Sequence, residues 1–253
     1  MSLLRDVPKA LMQISSFDDA HSWMSSALRG TRGLIVVPPN RADPPRPAAA
    51  LELFEFEACP YCRKVRELMT ELDLAYVSRV CPKGSERNRR ELEARGGKRQ
   101  VPYLVDPNTA VAMYESEDIM TYLATTYGPG RSALGRILAP LNTASATTAS
   151  AIRPRGRRAR SAVRDRPQPS ELLVLYNIEG SPFCRKVREA LAALDLDYRV
   201  ENVGKGSARR SELAARGGTI MVPYLIDPNR GVEMYESDEI VAYLEAAYGA
   251  VNE

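Results

Sequence analysis

The chain has 253 residues, 44% hydrophobic and 26% charged, with four cysteines and one histidine. That composition suits a globular protein with room for one large or two small domains. No apolar run reaches the ~20 residues of a membrane helix, and no basic start followed by an apolar block suggests a secretory leader. Asp6, Asp18 and Asp19 speak against an organelle transit peptide. Between Pro129 and Ser170 nine arginines face one acid, Asp165; that stretch carries +8 of a net +3, leaving −5 elsewhere. The positive charge therefore marks one segment and not a nucleic-acid face on the folded parts. We expect a cytoplasmic protein with no membrane partner and no nucleic-acid partner.

Residues 1–49 read as an N-terminal extension. Phe17 to Leu28 is a candidate helix started by Ser15 or Ser16, with Asp18 and Asp19 in its first turn. Its Trp23 is expected to pack the extension onto the first domain. Pro38 to Pro47 is too proline-rich for regular structure and reads as a linker. A first unit covers residues 50–128. Leu51, Leu53, Phe54 and Phe56 give a short strand, and Val65, Leu68, Met69 and Leu72 then recur on one helical face. Pro60 suits the first turn of that helix. Ala75 to Val80 reads as a strand and Glu86 to Arg95 as a polar helix stopped by Gly96-Gly97. Val101 to Val105 and Val111 to Tyr114 form a hairpin around Asp106-Pro107-Asn108. Ser116 is the expected N-cap of a last helix that ends at Gly128. The order is βαβαββα.

Residues 171–253 repeat this order. Leu172 to Ile178 is the strand, and Val187, Leu191 and Leu194 line the helix. Gly217-Gly218 precedes Val222-Pro223-Tyr224-Leu225, and Met234-Tyr235-Glu236-Ser237 answers Met113-Tyr114-Glu115-Ser116. The offset is 122 residues, then 121 after one deletion. A period this long is a duplicated domain. Residues 129–170 between the units read as an Arg/Ala/Pro-rich linker, with a short helix over Ser132 to Leu141 and a disordered, solvated remainder. Each unit has about 80 residues, near the size at which a lone core is marginal, so the two are expected to dock.

The two units differ at one motif. The first carries Glu57-Ala58-Cys59-Pro60-Tyr61-Cys62 and the second Glu179-Gly180-Ser181-Pro182-Phe183-Cys184. C-x-x-C between a strand and a helix reads as a redox pair. A zinc site would want a second close Cys/His pair, which Cys81, Cys184 and His21 do not supply, so no metal is expected. Cys59 just before the helix faces unpaired N–H groups and the positive end of the helix dipole, which favour the thiolate. Cys62, one turn on, can resolve a mixed disulfide formed on Cys59, and Arg63 and Lys64 add positive charge. Cys184 has no partner and reads as a packed residue, as does Cys81, matched by Val203. The Val101-Pro102 and Val222-Pro223 bonds fit either a cis peptide or the plain start of an edge strand; spacing does not choose.

On these motifs each unit resembles the thioredoxin-like N-terminal domain of glutathione S-transferases, and Cys59-Pro60-Tyr61-Cys62 resembles glutaredoxin. The resemblance covers about two thirds of the chain. It implies an α/β fold of two tandem thioredoxin-like domains, each a four-stranded mixed sheet flanked by helices. It implies cis prolines at Pro102 and Pro223. Glutathione, as co-substrate, would pair with the backbone of Val101 and Val222. Its γ-glutamyl end would be held by Glu115-Ser116 and Glu236-Ser237, where a helix start suits a carboxylate. The long helical domain that forms the electrophile pocket of these transferases is not expected after either unit.

The expected function is a glutathione-linked thiol–disulfide oxidoreductase acting through Cys59 and Cys62 on a disulfide-containing small molecule or protein, with a degenerate glutathione-binding second copy. The alternatives are a glutathione transferase using Ser181 and a non-enzymatic thioredoxin-like binding module.

Overall fold

The computed structural model describes residues 19–38, 45–132, 137–164 and 166–249. The candidate caps Ser15 and Ser16 and most of the Pro38 to Pro47 stretch lie outside them. Helix α1 covers residues 19–27. The first unit comes next, as β1 (Leu51–Glu55), α2 (Pro60–Glu71), β2 (Tyr76–Val80), α3 (Arg87–Gly96), β3 (Tyr103–Asp106), β4 (Val111–Met113) and α4 (Ser116–Tyr127). Helix α5 (Ala139–Ile152) and a 3-10 turn (Ser161–Val163) lead to the second unit. Its elements are β5 (Leu173–Asn177), α6 (Pro182–Ala193), β6 (Tyr198–Asn202), α7 (Arg209–Gly217), β7 (Tyr224–Asp227), β8 (Val232–Met234) and α8 (Ser237–Tyr248).

The four-stranded halves join into one sheet, ordered β4-β3-β1-β2-β6-β5-β7-β8. Within each half the first two strands are parallel and the rest antiparallel. The join is antiparallel, Tyr76 against Val200 and Ser78 against Tyr198. A lone unit would expose β2 as an edge with unpaired backbone groups; here each copy covers the other's edge. One apolar cluster then runs through both halves, from Leu53, Leu104 and Leu123 to Leu175, Leu225 and Leu244, all fully buried. Each such leucine contributes roughly 1.5–3 kcal/mol.

Charge ties the halves reciprocally. Arg87, at the start of α3, bonds Asp197 of the second unit at 2.9 Å, and Arg209, at the start of α7, bonds Asp73 of the first at 3.1 Å.

The described residues of the connecting segments continue the duplication. Residues 133–136 of the expected Ser132 to Leu141 helix lie outside the described residues; a helix covers Ala139–Ile152, and described residues after it pack onto the units. Ser26-Ala27-Leu28-Arg29 recurs as Ser150-Ala151-Ile152-Arg153 at an offset of 124. Arg29 Nε donates to Glu67 of α2 at 2.7 Å, and Arg153 Nε to Glu189 of α6 at 2.6 Å. Ile35 bridges Lys205, and Arg158 bridges Lys83. Arg160 pairs with Glu245, and Arg166 lies over the Tyr248 ring, so these arginines are engaged within the chain. Trp23 packs on the second unit, edge-on to Phe183 at 5.9 Å, and not on the first as expected; it stays 54% exposed.

The final helices are capped one residue earlier than expected. Glu115 and Glu236 occupy the N-cap positions, at φ 65 and 66, and Ser116 and Ser237 are the first helical residues. Gly97 and Gly218 end α3 and α7 at φ 74 and 76, the left-handed conformation glycine adopts freely.

Candidate functional site

The site of the first unit forms where β1 ends and α2 begins. Cys59 is the N-cap of α2, at φ −76 and ψ 118, with Pro60 in the first turn. Its Sγ accepts the N–H of Cys62 at 3.3 Å, and its carbonyl accepts Arg63 N at 3.0 Å. Both thiols are free; Cys59 is 3% exposed and Cys62 fully buried.

Their environments separate them. A hydrogen bond from the Cys62 side chain does most to lower the Cys59 thiol from its ordinary value. Burial opposes it, while the Cys62 N–H, the Arg66 charge and the Tyr61 N–H assist. Burial pushes Cys62 well up, and its hydrogen bond and charge interaction with Cys59 push the same way. The pair is thus one thiol drawn below its ordinary value and one pushed above it.

The neighbouring cations act otherwise than expected. Lys64 Nζ reaches Glu117 at 2.7 Å and Thr143 Oγ1 at 2.8 Å, and Arg63 reaches Ser25 Oγ at 3.2 Å. Arg66, two turns along α2, is the cation that bears on both cysteines.

The Val101-Pro102 peptide is cis and leads into β3, which pairs with β1 through Tyr103 and Phe54. Val101–Pro102 therefore lies at the same sheet end as the loop before Cys59. The Lys64–Glu117 pair joins the second turn of α2 to the first turn of α4, which brings Glu115-Ser116 to that end as well. Gln100 Nε2 donates to Glu115 Oε1 at 2.8 Å. The loop from Lys98 is pinned by Tyr114, whose hydroxyl donates to the Lys98 carbonyl at 2.8 Å; a Cβ on Gly96 would meet that hydroxyl at 2.3 Å.

The second unit builds the same frame with different chemistry. Ser181 is the N-cap of α6, at φ −72 and ψ 125, and its Oγ accepts Cys184 N at 3.3 Å. Cys184 is fully buried, and burial raises its thiol. Val222-Pro223 is cis, and Glu236-Ser237 opens α8. Where the first unit has Lys98-Arg99-Gln100, the second has Thr219-Ile220-Met221, with Ile220 and Met221 45% and 47% exposed. Met221 offers Glu236 no counterpart to the Gln100 amide.

Cys81 is also fully buried, with its thiol raised by burial. Among the described residues no group of three or more His, Cys, Asp or Glu is placed to hold a metal, and no helix is long and apolar enough to cross a membrane.

One feature of the site is absent from the sequence expectations: buried charge behind both loops. Glu57 bonds Arg188 of α6 at 3.0 Å, and Glu179 bonds Arg66 of α2 at 3.0 Å. Burial works to raise Glu57, but Arg188 and Arg66 outweigh it and hold its carboxyl down at about 2. A signal for it stands in the sequence: Arg-Lys-Val-Arg-Glu is unchanged at 63–67 and 185–189. As a run of charges it resembles a solvated face.

Residues 53–132 and 175–252 each match the family described as Glutathione S-transferase, N-terminal domain. Among solved structures, Leishmania TDR1, described as a unique trimeric glutathione transferase, is similar at 17% identity with a TM-score of 0.31, over 79% of this chain and 67% of that one. No curated protein matches the sequence significantly.

Proposed function

We propose, for a chain that belongs to the family of glutathione S-transferase N-terminal domains, that the first unit is a glutathione-linked thiol–disulfide oxidoreductase. The carrying observation is the Cys59 sulfur at a helix N-cap, taking the Cys62 N–H at 3.3 Å. The Cys59 thiolate attacks one sulfur of a disulfide or glutathione mixed disulfide, and the other sulfur leaves as a thiolate that takes a proton. Cys62, losing its proton, attacks the mixed disulfide on Cys59 and releases the second thiol. A Cys59–Cys62 disulfide remains. Two glutathione molecules restore the dithiol and leave as glutathione disulfide.

Glutathione would dock with its cysteinyl backbone along Val101. Its γ-glutamyl carboxylate would lie on the N–H groups at Ser116, and its ammonium on Glu115. Val222, Glu236 and Ser237 offer the second unit the same frame, without the Gln100 contact. Reduction of a small glutathione mixed disulfide tests the reading. It is expected to vanish in Cys59→Ser; turnover unchanged in that variant would overturn it. Cys62→Ser distinguishes a dithiol from a monothiol route.

A second reading rests on Ser181, whose hydroxyl stands where Cys59 stands. A serine there suits hydrogen bonding to a glutathione thiolate. It predicts conjugation of an electrophile that survives Cys59→Ser and is lost in Ser181→Ala.

A further inference from the structure

Cys59 stands two residues after Glu57, and Ser181 two after Glu179. Neither glutamate serves only its own unit. Glu179 receives Arg66 through both oxygens, from Nε at 3.1 Å and Nη2 at 3.0 Å. Glu57 receives Arg188 the same way, at 3.0 and 3.1 Å. All four side chains are buried, none more than 4% exposed. Arg66 also donates to the Glu57 carbonyl at 3.1 Å and to the Glu55 carboxylate. Its guanidinium thus braces the loop that ends at Cys59, whose N–H donates back to the Phe56 carbonyl at 3.1 Å.

Arg66 is faced by Glu55 from β1, Glu57 from its own loop and Glu179 from the second unit's loop. Cations Arg63 of α2 and Arg188 of α6 lie beside it, as do the phenols Tyr76 and Tyr198 of the joined strands. In this dry site each charge counts for more than it would in water.

We propose that Glu179, in the loop of the second unit, is a positioning residue for Cys59: it holds and partly neutralises Arg66, the cation that α2 places two turns from the thiol. The second copy is then part of the first copy's site, whether or not it binds a ligand of its own. This rests on the reading of Cys59 as the reactive thiol.

The test is the pH dependence of Cys59 alkylation in the full-length protein, followed by mass spectrometry of its peptide. Wild type is expected to titrate below ~8.5, the free-thiol reference. A wild-type midpoint at or above that value would remove the proposed function, and this inference with it. Glu179→Gln uncovers the Arg66 charge and lowers the midpoint by about 0.5 unit, roughly threefold in thiolate over thiol. Glu179→Asp keeps the charge with a shorter reach and falls between the two. Arg66→Met raises the midpoint, and adding Glu179→Gln to it produces little further change, because the two act as a unit. The double variant removes both partners together, which a buried pair tolerates better than loss of one. A low wild-type midpoint that neither Glu179 variant moves would overturn the inference. So would a Glu179→Gln shift of equal size with and without Arg66.

Discussion

The N-termini of α2 and α6 share a backbone and differ in chemistry. Cys59 and Ser181 cap them within a few degrees of each other and accept the same N–H at the same 3.3 Å. One atom, sulfur for oxygen, makes the first able to form a disulfide and leaves the second able only to hydrogen-bond. The surroundings reflect that split. The first rim has Gln100 on Glu115, while the second has Met221 at that place and Trp23 against Phe183. Behind both loops the exchanged pairs match, Arg66 on Glu179 and Arg188 on Glu57, although Glu55 beside Arg66 is Asn177 beside Arg188. Duplication has kept the support and let the chemistry diverge.

The largest expected effect breaks this comparison at the thiol. Cys59→Ser is expected to abolish mixed-disulfide reduction, whereas Ser181→Ala leaves it unchanged; both are read in one turnover assay.

Next comes the support. Arg188→Leu leaves Glu57 buried with part of its pairing gone, and a loss of about 3–5 kcal/mol in urea unfolding is expected. A loss below ~1 kcal/mol would show that the cluster is not what holds the halves in register.

The acid limb of stability sharpens the same point. Glu57 is depressed in the folded chain to about 2. Its contribution is therefore fully present above its unfolded value, ~4.3, and is lost as pH falls towards 2. Glu57→Gln should flatten the stability–pH curve in that window, measured by urea midpoints from pH 5 to 2.

The smallest effect is at the exposed ring pair. Trp23→Ala is expected to cost about 0.5–1.5 kcal/mol and to leave turnover at Cys59 unchanged.

Much of the fold was legible because each unit's signals are local. The apolar spacing of Val65 and Met69, the Gly-Gly stops and the Asp-Pro-Asn turns name their elements wherever they stand. The linker was not. Ala146, Ala149 and Ser150 are too small to make an apolar stripe, yet they are buried because small residues let a helix lie close. Ser116 looked like a cap, but the chain turns one residue earlier, at Glu115, with its positive φ. Of the site, Cys59, Cys62 and both Val-Pro pairs were visible as a motif. Which cation bears on the thiols was not, since Arg63, Lys64 and Arg66 differ only in what comes to meet them.

The sequence by itself determined two copies of one βαβαββα unit, a dithiol in the first and a hydroxyl in its place in the second, because strand, helix and turn are set by near neighbours. Only the tertiary structure decided that the copies share one sheet and exchange their charges. An edge strand records that it needs a partner but not which one, and a buried arginine is defined by carboxylates that arrive from 113 residues away.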